Sequence, residues 1–324
     1  MGIKRKLLVK IMDKIAIPRI TKVIELENST SQMPDMILPM ENSPDRFNIP
    51  LEMIKLVRSN PKMPFRSLPP MRILPSLLGN MKKVVNSLPE NPSNPQIEAT
   101  PEFLEELVEF AHSAGVDVVG FAKLQREEIF KEKGILHDNA IVLAMEMDWD
   151  KMEQAPSKPT MNMIMETYND LGIAANKIAE FLRKRGFSAM AGHPLGGMSL
   201  YTPLAMSAGI GWVGRNGLLI TPEFGHRVRL AAVYTGISNL PLAINNNHSW
   251  ISDYCSTCGI CIRKCPTEAI REESIIQDSG RVTYTYLDKC FPYFVENYGC
   301  SICIKVCPFN RQPYSKIKER HDNG

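Results

Sequence analysis

The spacing of apolar residues predicts where the compact part of the chain begins. Thr100 is a suitable helix N-cap, Pro101 fits the first helical position, and acidic residues follow in the first turn. The next apolar residues recur with helical periodicity: Phe103, Leu104, Leu107, Val108 and Ala111. We therefore expect a folded domain that starts near residue 100 with an amphipathic helix.

After this helix, short apolar runs and longer amphipathic stretches alternate. Runs typical of buried strands occupy residues 116–122, 140–145, 187–191, 217–220 and 230–235. Amphipathic helices are predicted over 161–185, ending at Gly186, and over 200–208. Because helices and strands alternate along the chain, the pattern indicates an α/β fold.

The residues before this domain have a different character. Residues 29–100 are rich in Pro, Asn and Ser, which predicts either a loop-rich wrap with one or two short helices or a partly disordered linker. Residues 1–22 hold seven Lys or Arg and one Asp, so a helix there would carry lysines opposite an apolar stripe. The stripe comprises Ile3, Leu7, Leu8, Ile11, Met12 and Ile15. It could pack on the protein itself, or it could contact an anionic membrane surface.

Composition and charge narrow the class of protein. With 44% hydrophobic residues, the 324-residue chain can build a sizeable core, and its net charge of +3 is too small to indicate nucleic-acid binding. The apolar run from Leu7 to Val9 is too short for a signal peptide or a membrane span, and residues 1–22 show no twin-arginine motif. We therefore expect a cytoplasmic protein, with peripheral contact to the inner membrane face as an open alternative.

The eight cysteines all lie between residues 255 and 307, in two sets. The first reads Cys255-x2-Cys258-x2-Cys261-x3-Cys265-Pro, and the second reads Cys290-x9-Cys300-x2-Cys303-x3-Cys307-Pro. A disulfide scaffold would be a short chain with dispersed cysteines, and zinc sites favour separated CxxC pairs or mixed Cys and His ligands. The spacing instead predicts two [4Fe–4S] clusters in a bacterial-ferredoxin-like domain.

In such two-cluster ferredoxins, the cysteine before the proline ligates the other cluster. We therefore expect one cluster on Cys255, Cys258, Cys261 and Cys307, and the other on Cys265, Cys290, Cys300 and Cys303. Two adjacent clusters conduct electrons, so a redox site is expected elsewhere in the chain. The expected organisation is an N-terminal helix and wrap at 1–99, an α/β core at 100–245 and the two-cluster domain at 246–324.

One short motif points weakly to a nucleotide. Residues 209–214 read Gly-Ile-Gly-Trp-Val-Gly, which matches the G-x-G-x-x-G fingerprint for dinucleotides. A helix-like stretch precedes it where the fingerprint requires a strand, and Tyr234 occupies a position where an acid would be expected. Nicotinamide binding is therefore not favoured.

Three stretches resemble a known family. PLAMSAGIGWVGRNGLLITPEFGHRVR at 203–229, AIVLAMEMD at 140–148, and Tyr168 followed by FLRKRGF at 181–187 resemble the reductive dehalogenases. The same region, together with Cys-Pro-Phe-Asn at 307–310, also resembles the epoxyqueuosine reductases. The resemblance extends over residues 100–312 and is most specific at 203–229.

This resemblance implies a cofactor and an activity. Both families bind base-off cobalamin in a nitroreductase-like α/β core, and a two-cluster domain delivers electrons to the cobalt. The chain would then be a corrinoid-dependent reductase of an organic substrate, working anaerobically with an external low-potential donor of the ferredoxin or flavodoxin type. Halogenated organic compounds are the best-known substrates, but the sequence does not identify this one.

The resemblance also implies roles for individual residues. Tyr168 would donate a proton, and Arg227 would keep it poised, since a nearby cation lowers the pKa of a phenol from about 10. His193 would be a further polar contact or proton donor. The glycine-rich loop would lie against the corrinoid because missing side chains permit a close approach. Its expected contacts are Gly209, Gly211, Trp212, Gly214, Arg215, Asn216, Gly217 and Leu218.

Other functions stay open at this point. An epoxyqueuosine-reductase-like enzyme would act on tRNA, but residues 188–202 contain no Asp or Glu where that family has its proton donor, and only 17 residues follow Cys307 where it has helical repeats. A protein that only transfers electrons would carry clusters and no corrinoid. A corrinoid-reducing protein would bind cobalamin without turning over an organic substrate.

Overall fold

The computed structural model describes residues 9–60 and 70–323 of the chain. Ile3, Leu7 and Leu8 of the predicted N-terminal stripe therefore lie outside the described residues. Within these ranges, no helix is long and apolar enough to cross a membrane.

A four-stranded sheet lies at the centre of the fold. Its strands are β1 (Val118–Lys123), β2 (Asn139–Glu146), β3 (Ala189–Gly192) and β6 (Val228–Thr235). They are ordered β1-β2-β6-β3, and each neighbouring pair is antiparallel. The central strands β2 and β6 contain the most deeply buried residues, such as Val142 opposite Ala232. A separate short hairpin pairs β4 (Trp212–Val213) with β5 (Leu219–Ile220).

Three helices of the core lie close to the predicted positions: α4 (Pro101–Ser113), α6 (Lys158–Lys184) and α7 (Tyr201–Ser207). A short helix that the sequence did not predict, α5 (Trp149–Glu153), packs on α6. At the start of α4, the amide of Phe103 donates to Thr100 Oγ1 over 3.2 Å, which confirms the predicted N-cap. Gly186 follows α6 with φ of +85°, a conformation that favours glycine at a helix end. The mixed α and β class is confirmed.

The N-terminal part forms a helical layer on the core. A π-helix at Met12–Ala16 leads into α1 (Ile17–Asn28), and α2 (Ile49–Ser59) and α3 (Leu74–Asn86) follow. Their buried faces meet in one apolar cluster that includes Ile20, Val57 and Leu77. The described part of residues 29–100 thus contains two helices that pack on the rest of the protein. This agrees with the interpretation as a loop-rich wrap with short helices and not with the interpretation as a disordered linker.

The first helix of this layer buries only part of the predicted stripe. Met12 and Ala16 point inward, whereas Ile11 and Ile15 are 37% and 47% exposed. The helix therefore packs on its own protein, and Ile11 and Ile15 lie on its exposed face. Contact of that face with a membrane stays a prediction.

A buried charge network connects the helical layer to the loop after β3. Glu27 is 1% exposed, and its carboxylate lies 2.5 Å from the Arg46 guanidinium and 3.9 Å from the Lys133 ammonium. Burial raises the pKa of Glu27 and lowers that of Lys133 to about 8. Arg46 also donates to the carbonyl of Leu195 over 3.5 Å, so the network holds the loop that leads into α7.

Removing Arg46 is expected to destabilise the fold strongly. Arg46→Ala leaves the Glu27 carboxylate buried and poorly compensated, which should cost about 3–5 kcal/mol of unfolding free energy. Arg58→Ala is the control, because the Arg58–Asp13 pair is 51% and 39% exposed and should contribute less than about 1 kcal/mol. Urea unfolding of the anaerobic holoprotein measures both. Equal losses in the two variants would contradict this account.

The C-terminal part carries a structural repeat. Its helices are α8 (Trp250–Cys258), α9 (Ile260–Arg263), α10 (Leu287–Glu296), α11 (Ile302–Lys305) and α12 (Tyr314–Asp322), with a hairpin of β7 (Ile270–Ile276) and β8 (Val282–Thr285). Gly259 before α9 and Ser301 before α11 are both left-handed, with φ of +55° and +64°. They occupy equivalent positions in the two cysteine runs, so each run folds as the same turn and short helix.

Candidate functional site

The first group of thiols joins the two cysteine runs. Burial raises the pKa of the Cys307 thiol, and repulsion from the thiolates of Cys255, Cys261 and Cys258 adds to this effect. Cys307 is therefore a close neighbour of the three cysteines that begin the first run. We call these four residues the first quartet. The grouping is the one that the spacing predicts.

The second group is built in the same crossed way. Burial raises the pKa of Cys290 to about 11, with further repulsion from Cys300 and Cys265. Burial likewise raises the pKa of Cys303 to about 12, with repulsion from Cys300 and Cys290 and also from Cys261 of the first quartet. We call Cys265, Cys290, Cys300 and Cys303 the second quartet.

Both quartets fit a [4Fe–4S] cluster. Four soft thiolates per group are the donor set that such clusters take. Hydrogen bonds from Thr267, Ala269 and Ile270 outweigh the effect of burial and lower the pKa of Cys265, and the Ala269 amide donates to its sulfur over 3.3 Å. In residues 9–60 and 70–323, no three His, Cys, Asp or Glu side chains are placed to hold a single metal ion. An iron–sulfur cluster is larger than a single ion, so this absence does not bear on the two quartets.

A cavity of about 440 Å³ lies between the second quartet and the α/β core. All four cysteines of the second quartet line it, and none of the first quartet does. The other residues that line it include Tyr168 on α6, Arg229 on β6 and Asn216 in the glycine-rich loop. We call this space the central cavity. Its position makes the second quartet the nearer of the two to any group that it holds.

Tyr168 and Arg229 form a pair in the wall of the central cavity. The guanidinium carbon of Arg229 lies 3.7 Å from the centroid of the Tyr168 ring. At this distance the cation interacts with the face of the ring. One guanidinium nitrogen of Arg229 is 3.3 Å from the sulfur of Met147, and Nε is buried without a hydrogen-bond partner. A phenol and a fixed positive charge therefore meet at the cavity.

Arg227, the basic residue expected beside Tyr168, has other partners. Its guanidinium pairs with the Glu146 carboxylate, donates to the carbonyl of Met147 over 3.1 Å and lies 5.5 Å from the centre of the Trp149 ring. It is not among the residues that line the central cavity. The structure thus brings Arg229 to the position that sequence reasoning gave to Arg227. The sequence His-Arg-Val-Arg does not by itself distinguish between two arginines that are two residues apart.

His193 lies behind the cavity wall. Its ring is 1% exposed, Nδ1 accepts a hydrogen bond from the Leu195 amide over 3.1 Å, and Nε2 has no partner. A Cβ on Gly172 would lie 2.2 Å from Nε2, so the glycine in α6 makes room for the ring. Burial, reinforced by Arg46, lowers the pKa of His193 to about 3. A neutral, enclosed imidazole fits a structural role better than the proton-donor role considered above.

The low pKa of His193 predicts a pH dependence of stability. Because the folded-state pKa lies below the ordinary value of 6.5, stability is intact above about pH 6.5 and is lost as the pH falls toward 3. Lowering the pH from 7 to 5 should cost about 2 kcal/mol through this residue alone. Urea unfolding of His193→Asn at both pH values should show a smaller loss than the parent chain. His112→Asn should behave like the parent, and an equal loss in all three would contradict the assignment.

The glycine-rich loop contributes two of its eight predicted contacts to the central cavity. Asn216 and Leu218 line it, whereas the other six do not. A Cβ on Gly211 would lie 2.2 Å from the carbonyl oxygen of Ile220, so this glycine lets β4 and β5 approach. Gly217 has φ of +80° and turns the chain beside Tyr284. Gly209, Trp212 and Gly214 likewise belong to the turn and hairpin.

Arg215 lies beside the first quartet. Its backbone hydrogen bond and its charge both act to lower the pKa of Cys255 in the first quartet, against the larger effect of burial. The loop therefore contacts the first quartet through Arg215 and the central cavity through Asn216. It follows α7 and enters β4, so it lacks the strand-to-helix setting of a dinucleotide fingerprint.

His226 is a cavity residue that sequence reasoning missed. It is 4% exposed and lines the central cavity. Its Nδ1 lies 2.9 Å from the carbonyl oxygen of Leu219. Burial lowers its pKa to about 4. The ring is therefore neutral, with Nδ1 donating to the carbonyl and Nε2 left as an acceptor. Its place in the 203–229 stretch was the only sequence signal.

The donors around the central cavity fit a corrinoid. Arg229 Nε and Asn216 Nδ2 are buried and have no hydrogen-bond partner. The Asn216 amide lies beside Cys303 and acts to lower the pKa of that thiol. Buried donors without partners are costly and mark a place for an acceptor. A corrinoid carries amide carbonyls around a flat apolar ring, so these residues and Leu218 suit it.

Comparisons with known proteins agree with this geometry. Residues 254–310 match the family described as the 4Fe-4S double cluster binding domain. A tetrachloroethene reductive dehalogenase of Desulfitobacterium hafniense is 33% identical over 221 residues, which cover 64% of this chain and 39% of the relative. An epoxyqueuosine reductase of Cyclobacterium marinum is 37% identical over 115 residues, which cover 33% of this chain and 36% of the relative.

A solved structure shares the fold. The catabolic reductive dehalogenase NpRdhA, in complex with 3-bromo-4-hydroxybenzoic acid, aligns over 90% of this chain and 45% of its own with a TM-score of 0.63 and 20% identity. The chain spans about two fifths of the length of the reductive dehalogenases it matches. Its eight cysteines and double-cluster domain support two [4Fe–4S] clusters. The resemblance seen in the motifs is therefore confirmed: the chain is a relative of the reductive dehalogenases and epoxyqueuosine reductases.

Proposed function

We propose that the chain is an oxidoreductase, a cobalamin- and iron–sulfur-dependent reductase of the reductive-dehalogenase type. One observation carries the proposal: the second quartet and the Tyr168–Arg229 pair line the same cavity. An electron source and a proton source thus border one space. In this proposal the central sheet and its helices are the nitroreductase-like core that binds the corrinoid.

The chain's residues would hold the cofactors as follows. The two quartets ligate the clusters, and Arg229, Asn216 and Leu218 contact the corrinoid in the central cavity. Bound cobalamin supplies a cobalt centre that can pass two electrons to a carbon–halogen bond. Since only the second quartet borders the cavity, electrons would enter at the first quartet from a low-potential carrier and leave from the second.

Tyr168 would hold the proton that the reaction consumes. Reductive dehalogenation takes two electrons and one proton, breaks the carbon–halogen bond, forms a carbon–hydrogen bond and releases halide. The Tyr168 hydroxyl is the donor, and the Arg229 guanidinium over its ring holds the side chain in place at the cavity. His226 and His193 have lowered pKa values and are neutral, so neither carries a proton to donate in this step.

Turnover assays test the proposal. The chain is reconstituted anaerobically with iron, sulfide and cobalamin, and supplied with titanium(III) citrate as the electron source. We expect halide release from chlorinated alkenes or halogenated aromatic compounds. Activity only on tRNA that carries epoxyqueuosine would favour the second candidate, which rests on the 37% identity to an epoxyqueuosine reductase. Reduction of bound cobalamin without any product would contradict both.

A further inference from the structure

A series of hydroxyl groups crosses the core behind the central cavity. Tyr201, on α7, lines that cavity, and its hydroxyl donates to the carbonyl of His193 over 3.2 Å. The Tyr201 hydroxyl also shares a hydrogen bond with the hydroxyl of Tyr234, on β6. The Tyr234 hydroxyl in turn lies 2.7 Å from the Ser199 hydroxyl, and both of these residues are buried. We call Tyr201, Tyr234 and Ser199 the hydroxyl chain.

The fold makes room for these hydroxyl groups. A Cβ on Gly192 would lie 2.6 Å from the hydroxyl oxygen of Tyr201, and a Cβ on Gly197 would lie 2.8 Å from it. Tyr234 is completely buried, although a phenylalanine would fill the same space without a polar group that needs a partner. Two glycines and a buried phenol thus bring hydroxyl groups into contact at a place where an apolar core would pack more simply.

Glu128 lies at the outer end of the hydroxyl chain. Its backbone carbonyl accepts from the amide of Leu200 over 2.9 Å, just before α7. Burial raises the pKa of Tyr234, and the Glu128 carboxylate adds to this effect, so the two side chains are near each other. The Glu128 carboxylate is half-buried and accepts from the Gln125 amide over 3.3 Å. Burial, with a smaller contribution from Glu127, raises the pKa of Glu128 to about 7, so this group gains and loses protons near neutral pH.

The other charged groups near the hydroxyl chain are enclosed. Burial raises the pKa of Tyr201, while Arg46 acts to lower it and Glu27 acts to raise it. Arg46 and Glu27 pair with each other, and their side chains are only 9% and 2% exposed. Within the described residues, Glu128 is therefore the charged group that connects the two phenols to solvent.

We propose that Glu128 and the hydroxyl chain form a relay that carries protons from solvent to the central cavity, where they replace the proton that Tyr168 gives up. The inference rests on the proposed function, which leaves Tyr168 without its proton after each turnover. Each group accepts a proton on one side and releases its own on the other, so no charge accumulates in the core and no electron moves. Water completes the path between Glu128 and the hydroxyl chain, and between Tyr201 and Tyr168, which both line the cavity.

Exchange of tyrosine hydroxyl hydrogens tests the relay without turnover. The cluster-containing protein is labelled with ¹³C at the tyrosine Cζ, whose chemical shift changes when the attached hydroxyl takes up deuterium. In the parent protein, the Tyr234 hydroxyl should exchange rapidly with heavy water despite its burial. Glu128→Gln should slow this exchange by about tenfold or more, because a buried hydroxyl without a relay exchanges only when the structure opens. Glu127→Gln is the matched control, since Glu127 is the exposed neighbour and should leave the rate unchanged.

Two outcomes of this measurement would overturn the inference. Slow exchange of Tyr234 in the parent protein would show that the hydroxyl chain does not conduct protons. Fast exchange that is the same in Glu128→Gln and Glu127→Gln would show that protons reach Tyr234 from the cavity and not through Glu128.

Turnover provides a second measurement that separates this inference from the proposed function. Glu128→Gln should slow steady-state halide release by about tenfold or more but leave the first turnover at the parental rate, because Tyr168 begins with its proton. Thr235→Val, which removes another buried hydroxyl from β6, should change neither rate. Exchange that depends on Glu128 in a protein that reduces no substrate would contradict the proposed function alone. Halide release with exchange that does not depend on Glu128 would contradict the relay alone.

Discussion

Tyr168→Phe is expected to lower turnover by about 10²–10⁴-fold, the usual contribution of a positioned proton donor. The substitution removes one hydroxyl and keeps the ring that Arg229 covers at 3.7 Å. Cluster content and corrinoid binding should therefore be unchanged. Halide release under saturating substrate measures the effect.

Tyr293→Phe is the matched control for this prediction. Tyr293 also lines the central cavity, from α10, but it has no guanidinium over its ring among the described contacts. The variant should keep near-parental turnover. If Tyr168→Phe also keeps parental turnover, Tyr168 has no part in the proton step.

Loss of a single cysteine is expected to remove one cluster and abolish turnover. Cys307→Ala should lose the cluster of the first quartet, and Cys265→Ala that of the second, because each thiol belongs to the quartet opposite to its own run. Iron and sulfide analysis should show about half of the parental content in each variant, since one of two four-iron clusters is lost. Turnover should fall to background because the electron path is cut in both.

Double variants test the crossed pairing itself. Cys255→Ala with Cys307→Ala removes two ligands of one quartet, so it should lose no more iron than Cys307→Ala alone. Cys303→Ala with Cys307→Ala removes one ligand from each quartet and should lose both clusters. The reverse outcome would show that each run of cysteines holds its own cluster.

Local signals in the sequence were sufficient for much of the fold. The start of α4 depends on Thr100 and Pro101, whose effects extend over one helical turn, and the crossed quartets follow from the cysteine spacing. The hairpin of β4 and β5 was only partly predicted, because two-residue strands are too short for a period to be recognised. The predicted strand at 217–220 starts two residues before β5 for the same reason.

The candidate site was harder to predict because it depends on contacts between distant residues. Arg229 meets Tyr168 across 61 positions of sequence, and no local pattern distinguishes it from Arg227. The low pKa of His193 depends on burial beside Gly172 and on the charge of Arg46, which only the folded chain brings near.

The central claim is that the cavity between the second quartet and Tyr168 holds a corrinoid. The most direct test is anaerobic reconstitution with iron, sulfide and cobalamin, followed by desalting, cobalt analysis and electron paramagnetic resonance. The account predicts stoichiometric retention of cobalamin with a Co(II) signal, and weaker retention when Asn216 is replaced by Leu. A chain that carries both clusters but retains no corrinoid and gives no Co(II) signal would contradict it.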